Sequence, residues 1–561
     1  MRGYAAGMAP LLGGRLDPAV GALRTALADG SIRRLMVAWF AVNAGQYGLL
    51  VTTLVIAYAE GGPVAVGVFG LARYLTPALL APWVGLPAAR WPTEAVLRGT
   101  NTIRMLAVVA MVAIVAAGAP LWVLGVAVAV EAGAGAYSRP LHMTLAPAVA
   151  QSPQQLVAAN VTSGAAEGLG TFVGPAITGI LLGVTGPLAA LLAIVAIYAI
   201  GVASIARLHV AHVGRPERFE AGAAVAEMSA GLRATVRMPD VRLVIACLGL
   251  QTFVRGLLTV LTVVAAIELL GMGDPGVGTL NAAMGLGGLA GAIAAITLAG
   301  RHRLGTPFAV ALAAWGAPIA VMGIVAAPPV AILAMAAVGI SNAVLDVAGF
   351  TLLQRMTPNA SRVAVFGMLD SVAAAGPAIG GLVAPVLNAT LGIEGALVVS
   401  GVILPVTALV AWPRLRHVGV GSPEAIRRDE LLRRQALFAP LSLATVEHLS
   451  SSLASVEIEP GTWLMREGDQ GDHYLLIERG EAEVSRFGQV IGVLGPGDGL
   501  GEIALLHDVP RTASVMALSP ISAFSLDRSS FLEAVTGTAT SYDSARTIAS
   551  DHLSADLERD A

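Results

Sequence analysis

Runs of about twenty apolar residues recur from residue 35 to residue 412, and nothing else in the chain limits its fold so strongly. Twenty residues is the length a helix needs to cross roughly 30 Å of hydrocarbon. The runs lie near 35–59, 64–87, 101–118, 121–139, 156–183, 187–208, 242–270, 275–299, 306–326, 329–350, 363–389 and 394–412, which predicts about twelve membrane helices. Only 13% of the 561 residues are charged, and mean hydropathy is +0.75. A soluble protein carries roughly 25% charge, so the composition argues against a soluble enzyme of this size. All 34 basic residues are arginine, which removes a P-loop lysine, a pyridoxal Schiff base and a kinase lysine together. Cys247 is the single cysteine, so no internal disulfide, cysteine zinc cluster or iron–sulfur ligation is possible. We expect no enzyme activity, no metal, no cofactor and no nucleic-acid partner.

Charge divides the chain. Up to Pro413 there are 21 Arg against 15 acids, net +6; from 414 onward 13 Arg face 22 acids, net −9; the two sum to −3. Short connections near 60–63, 118–121, 183–187, 271–275, 326–329 and 390–393 contain no Arg, whereas the alternate ones carry Arg90, Arg98, Arg139, Arg207, Arg215, Arg218, Arg301, Arg303, Arg355 and Arg362. Arginine accumulates on the cytoplasmic side of membrane proteins. Both termini are therefore expected in the cytoplasm, in a multi-pass protein of the cell (plasma or inner) membrane. The expected order is an N-terminal segment 1–34, six helices in 35–208, a cytoplasmic loop 209–241, six more in 242–413, a linker helix 414–436 and a soluble module 437–561.

The two helical sets echo each other. Gly174-Pro-Ala-Ile-Thr-Gly179 recurs as Gly376-Pro-Ala-Ile-Gly-Gly381, and Gln46 and Gln251 occupy similar settings. With the helix count and the central loop, these residues resemble the major facilitator superfamily over about 35–413. The run Gly170-x-x-x-Gly174-Pro175-x-x-x-Gly179 resembles motif C of its drug:proton antiporters. Gly85 and Arg90 fall on the family's G-x-x-x-D-R motif with Ala89 in the place of Asp, and Gly300-Arg301-His302-Arg303 departs similarly. The body resembles the enterobactin-exporter-like, "transmembrane secretion effector" branch of that family. The resemblance implies an all-α membrane fold of two six-helix repeats, rocking around a midplane site, and a proton-coupled exporter of a small molecule.

Charged groups inside the apolar runs cost at least ~2.5–3.5 kcal/mol each at mid-bilayer. Arg73, Glu131, Glu167, Arg255, Asp346 and Asp370 are such groups, candidates for substrate binding or proton coupling, or else ion pairs that fix the helices. Glu167 and Asp370 stand out because each precedes the Gly-Pro of its own half by a similar interval; a symmetric, buried carboxylate pair with Arg255 as counter-ion is expected. Arg104 and Glu268, near helix ends, are expected to reach toward the interface.

After Trp412-Pro413 the period changes. A charged helix is expected at 424–435, then short strands at 455–458, 463–465, 474–478, 482–485, 490–494, 514–517 and 523–526 with glycine turns between them, a small β-barrel or jelly roll. The segment Gly501-Glu-Ile-Ala-Leu-Leu-His-Asp-Val-Pro-Arg511-Thr-Ala-Ser514 interrupts the strands with a short helix and an arginine. Free amides at a helix start and one Arg suit a phosphate; a carboxylate beside them suits sugar hydroxyls. These residues resemble the phosphate cassette of cyclic nucleotide-binding domains, and Glu467-Gly-Asp-Gln-Gly-Asp-His-Tyr474 resembles the same family's strand turn, the resemblance covering about 437–540. It implies that Gly501 and Glu502 contact ribose, that Ile503, Ala504 and Arg511 hold the cyclic phosphate, and that Thr512 and Ala513 line the pocket. The ligand is cAMP or, since Thr512 reaches a guanine in some members, cGMP. Helices at 527–535 and 542–557 would be the hinge and lid. The joint reading is a transporter regulated by nucleotide; the alternative is a membrane nucleotide receptor on a scaffold that no longer transports.

Overall fold

A computed structural model describes residues 29–80, 83, 87, 90–150, 153–206, 208, 233, 235–295, 298, 303–418, 423–435, 437–438, 441 and 443–536. The segment before 29, most of the loop expected at 209–241, Gly85, Ala89, Gly300, Arg301, His302 and the helix expected at 542–557 lie outside the described residues. The chain divides into two compact units, Met1–Gly419 and Val420–Ala561.

The first unit is helical. Its elements are α1 (Gly30–Leu80), α2 (Thr93–Ala116), α3 (Leu121–Gly135), α4 (Ser138–Val149), α5 (Pro153–Val184), α6 (Pro187–Ile205), α7 (Pro239–Val264, followed by a π-helical turn Ala265–Leu269), α8 (Gly273–Ala295), α9 (Gly305–Ile324), α10 (Pro328–Met356) and α11 (Asn359–Leu415). Ten helical stretches among the described residues are long and apolar enough to cross a membrane, α3 and α4 counting as one. Two of them, α1 with 51 residues and α11 with 57, each contain a non-helical glycine, Gly62 (φ 63°) and Gly392 (φ 68°). Each therefore consists of two rods. In α1 the rods lie side by side, for Arg73 Nη2 donates to the Gln46 carbonyl at 2.9 Å.

Several helices outrun their apolar stretches. The α2 helix begins at Thr93, directly after Pro92, and α4 carries the fourth apolar run on to Val149. The added turns are amphipathic: Arg98 is exposed, while His142 is buried and stacks on Trp39 at 4.3 Å. Hydropathy alone stops at the first charge and misses such turns. At the start of α1, Asp29 Oδ1 accepts the amides of Ser31 and Ile32 at 2.8 and 2.9 Å, an N-cap that satisfies two otherwise unpaired donors.

Small residues set the packing. A Cβ on Gly174 of α5 would lie 2.1 Å from the Ala44 carbonyl oxygen of α1, and a Cβ on Gly380 of α11 would lie 2.1 Å from that of Phe253 in α7. Both Gly-Pro runs thus press against the first helix of their own half, backbone on backbone, although Gly380 stands where the first run has Thr178.

The second unit begins with α12 (Pro423–Arg434) and α13 (Leu443–Ser452). The strands follow: β1 (Ala454–Ile458), β2 (Trp463–Met465), β3 (His473–Arg479), β4 (Ala482–Arg486), β5 (Gln489–Leu494) and β6 (Gly499–Leu500). Then come α14 (Glu502–His507), β7 (Ser514–Ala517), β8 (Ile521–Asp527) and α15 (Arg528–Thr536). They form two four-stranded antiparallel sheets, β1-β8-β3-β6 and β2-β7-β4-β5. One cluster lies between the sheets, around Leu475, Ile477, Val515 and Ala523. A second joins the first sheet to the helices through Leu432, Phe438, Tyr474, Phe524 and Phe531. The expected boundary at 436 is corrected by that cluster. The α12 helix belongs to the module, anchored by fully buried Leu432 and by Arg427 Nη1 at 3.4 Å from Glu478 Oε1. Its charged residues hide a narrow apolar stripe from a composition-based reading.

Candidate functional site

Strand β6 runs into Gly501, whose φ of 97° is open to glycine at little cost. A Cβ there would stand 2.3 Å from Arg511 Nη1, so the position needs glycine twice over. The short helix α14 follows and ends at Asp508, itself left-handed at φ 53°. Arg511 is 4% exposed; its Nη1 donates to the Gly501 carbonyl at 3.1 Å and its Nη2 to the His473 carbonyl at 2.7 Å, with Asp472 Oδ1 at 3.6 Å. Burial draws the Arg511 guanidinium below its ordinary pKa, while Asp472, Glu502 and Asp469 oppose the shift. An anion would take over donors that now serve neutral carbonyls.

The two stretches singled out in the sequence interlock. Arg511 N donates to the Asp469 carbonyl at 2.8 Å, Gly468 N to the Arg511 carbonyl at 2.9 Å, and Glu467 N to Ser514 Oγ at 2.9 Å. Beside them is a cavity of about 200 Å³. Gly501, Glu502, Ile503, Ala504, Arg511, Thr512 and Ala513 all line it, facing apolar walls from Val484 and Leu494. Glu502 is 9% exposed. One end is cationic, the carboxylate stands beside it and the far wall is apolar, an arrangement suited to a phosphate, a sugar and a base in that order.

Residues 455–537 match the family model described as "Cyclic nucleotide-binding domain". The C-terminal module is a cyclic nucleotide-binding domain. It is 37% identical over 105 residues to a cAMP-dependent protein kinase regulatory subunit of Yarrowia lipolytica, covering 18% of this chain and 28% of that one. It is 32% identical over 112 residues to a cGMP-dependent protein kinase of Caenorhabditis elegans, covering 20% of this chain and 14% of that one. A regulatory subunit of Eremothecium gossypii is 38% identical over 104 residues, 18% of this chain and 23% of that protein. The chain thus spans less than a third of each of these relatives, and the similarity concerns the nucleotide-binding domain.

Sequence reasoning missed one residue of this domain. Arg528, the first of α15, sets its Nη2 2.5 Å from Asp508 Oδ1 and its Nη1 3.3 Å from the Gly471 carbonyl, and its amide donates to the Asp472 carbonyl at 2.9 Å. It ties α15 to the end of the cassette helix and to the strand turn at once. No motif marks it, since its partners come together only in the fold.

In the helical unit the six candidate charges separate into three groups. Glu131 and Arg73 are buried together with Arg104. Arg104 Nε and Nη2 donate to Glu131 Oε1 at 2.8 and 2.6 Å, Tyr198 OH donates to the same oxygen at 2.7 Å, and Arg73 Nη1 is 3.5 Å from Glu131 Oε2. Arg104 also reaches Ser138 Oγ at 3.1 Å and Gln46 Oε1 at 3.1 Å. The expectation that Arg104 extends to the interface is therefore corrected: α2 begins earlier than its apolar run, which puts Arg104 well inside the helix. Glu268 does lie at a helix end, where it accepts the Tyr58 hydroxyl across the two halves.

Glu167, Arg255 and Asp346 belong to a second group. They line one cavity of about 370 Å³ with Tyr47, Tyr74, Arg139, Asn281 and Asn342, drawn from both halves. Glu167 Oε1 is 3.4 Å from Arg139 Nη1, and Asp346 Oδ2 accepts Asn342 Nδ2 at 2.9 Å. Asp370 stands apart. It is exposed and absent from that lining, with Arg139 in Coulomb reach, so the symmetric buried pair is not formed. Glu167 precedes Gly174 by one residue more than Asp370 precedes Gly376, and one residue is a rotation of about 100° around a helix. The true counterpart of Glu167 is Leu369, which is buried. Among the described residues no group of three His, Cys, Asp or Glu side chains is placed to hold a metal.

Proposed function

We propose that the chain is a membrane transporter of the major facilitator type, exporting a small molecule with proton coupling and regulated by cAMP or cGMP bound to its C-terminal domain. The observation that carries it is the cavity lined by Tyr47, Arg139 and Glu167 from the first half and Arg255, Asn342 and Asp346 from the second. Counting each broken helix as two rods gives twelve candidate spans among the described residues, six before and six after residues 209–241. Gly174 and its counterpart Gly376 both sit tight against the first helix of their own half, on Ala44 and on Thr252 and Phe253, which agrees with a repeated unit. In such a body two halves rock about a shared midplane site. Glu167 and Asp346 are the carboxylates in position to meet a solute or a proton there. The membrane placement with both termini cytoplasmic follows from the distribution of arginine. Nucleotide would act on the equilibrium between inward- and outward-open states, by as much as its affinity for the two states differs.

Proteoliposomes containing the full chain, a pH gradient and isotope-labelled small metabolites test this reading. Protein-dependent flux that changes when cAMP or cGMP is added on the side of the C-terminal domain is the expected result. Nucleotide binding with no protein-dependent flux of any solute would establish the alternative, a receptor built on a transporter scaffold.

A further inference from the structure

We infer that the solute held in the helical cavity is a small zwitterion, its anionic group on Arg255 and its ammonium group on Glu167. The inference rests on the transport reading for what the cavity is for, and on the cavity itself for what it holds. At about 370 Å³ the space lies near the lower end of ligand pockets, which run from roughly 300 to 1,000 Å³. Its lining carries two arginines, Arg139 and Arg255, and two carboxylates, Glu167 and Asp346. The charges cancel. A net ion entering such a low-dielectric space brings a charge that nothing compensates, whereas a solute with one charge of each sign leaves the balance intact.

The two carboxylates are not equally available. Asp346 is held by Asn342 Nδ2, and the amide cannot turn, because Asn342 Oδ1 accepts Gln251 Nε2 at 3.2 Å and Trp315 Nε1 at 3.1 Å. Glu167 has only a loose partner among these charges. Arg139 is 3.4 Å away with 67% of its side chain exposed, and exposed pairs of that kind contribute little. An ammonium group can displace it. Arg255 lines the same cavity from the second half. Its guanidinium carries five N–H donors, and an anionic group entering the cavity can take charge-assisted bonds from them. Arg255 sits on α7 and Glu167 on α5, so a zwitterion bound to both would join the two halves.

The test uses detergent-solubilised full-length protein and follows its thermal unfolding, since a ligand that binds only the folded state raises the midpoint. The probes are the amino acids with uncharged side chains and glycine betaine, each at ~10 mM, set against succinate, putrescine and tetraphenylphosphonium. At least one zwitterion should stabilise the protein, and the three comparison ions should not. For the best-binding amino acid, the methyl ester and the N-acetyl derivative each remove one charge and should bind at least tenfold more weakly. In Arg255→Gln and Glu167→Gln the stabilisation should vanish while a cooperative unfolding transition without ligand, which reports a folded helical unit, is retained. Equal binding of ester, acetyl derivative and zwitterion overturns the inference. So does stabilisation by a net ion alone, or by none of the probes. Flux of tetraphenylphosphonium would defeat the zwitterion and leave transport standing; zwitterion binding without flux would do the reverse.

Discussion

Arg511 holds its place through two backbone carbonyls, and those bonds are what a cyclic phosphate would exchange for charge-assisted ones. Arg511→Ala should weaken cAMP or cGMP binding by ~1.5–3 kcal/mol, more than tenfold, in calorimetry on the full chain. A variant that binds as tightly as the parent would remove Arg511 from the site. Asp527 makes a second prediction. It accepts Ser529 Oγ and the Ser530 amide and hydroxyl at the start of α15, and these bonds hold its carboxyl down at about 2. A depressed value means that its contribution is complete above the unfolded value near 3.9 and is lost as pH falls from there toward 2. The group is exposed, so salt screens it. Asp527→Ala should destabilise the domain by about 1 kcal/mol near neutral pH, the usual effect of losing an N-cap, and the difference between variant and parent melts should shrink below pH 4. The seven pocket residues were legible because they lie close in sequence and the backbone there is local. Asp370 was misread because interval along a helix was used where angle around it decides, and Arg528 was invisible because each of its partners lies far away in sequence.

At the scale of helices, glycine and buried charge do different jobs. Gly174→Ala and Gly380→Ala each put a methyl group 2.1 Å from a carbonyl oxygen in the present packing, so α5 must part from α1 and α11 from α7. Both variants should lower the unfolding midpoint in detergent. An unchanged midpoint in either would show that the close approach at that glycine does not hold the two helices together. The cluster of Arg73, Arg104 and Glu131 draws on α1, α2 and α3, with Ser138 of α4 and Tyr198 of α6 completing it. Removing one member of a buried ion group leaves a charge without compensation, at a cost of about 3–5 kcal/mol. Glu131→Gln, which keeps shape, should therefore destabilise the helical body far more than Glu60→Gln at an exposed position, as read by thermal aggregation. Hydropathy found the helices but not this crosslink. The pattern of apolar residues reports which faces avoid water, and it is silent on which polar residues meet across them.

On the scale of the whole chain, the proposed function joins a cavity in one compact unit to a nucleotide pocket in the other. Linkage makes the joint claim testable without knowing the path between them. If nucleotide alters solute affinity, solute must alter nucleotide affinity by the same factor. Titrating cAMP into the full chain with and without a saturating solute should give two different dissociation constants, and deleting 414–561 should abolish the response of flux to nucleotide. Two identical constants would mean that the units share a chain and nothing else. The division into an apolar, Arg-rich body and an acidic module was plain from composition, whereas the inclusion of α12 in the module was hidden behind its charges. One bend has a consequence for how the protein is made. Only Gly62 leaves helical geometry between the rods of α1, so in the membrane placement proposed above the two would insert as one hairpin, with Glu60 and the bend crossing the bilayer together. Arg73 would then enter hydrocarbon with the Gln46 carbonyl on its guanidinium.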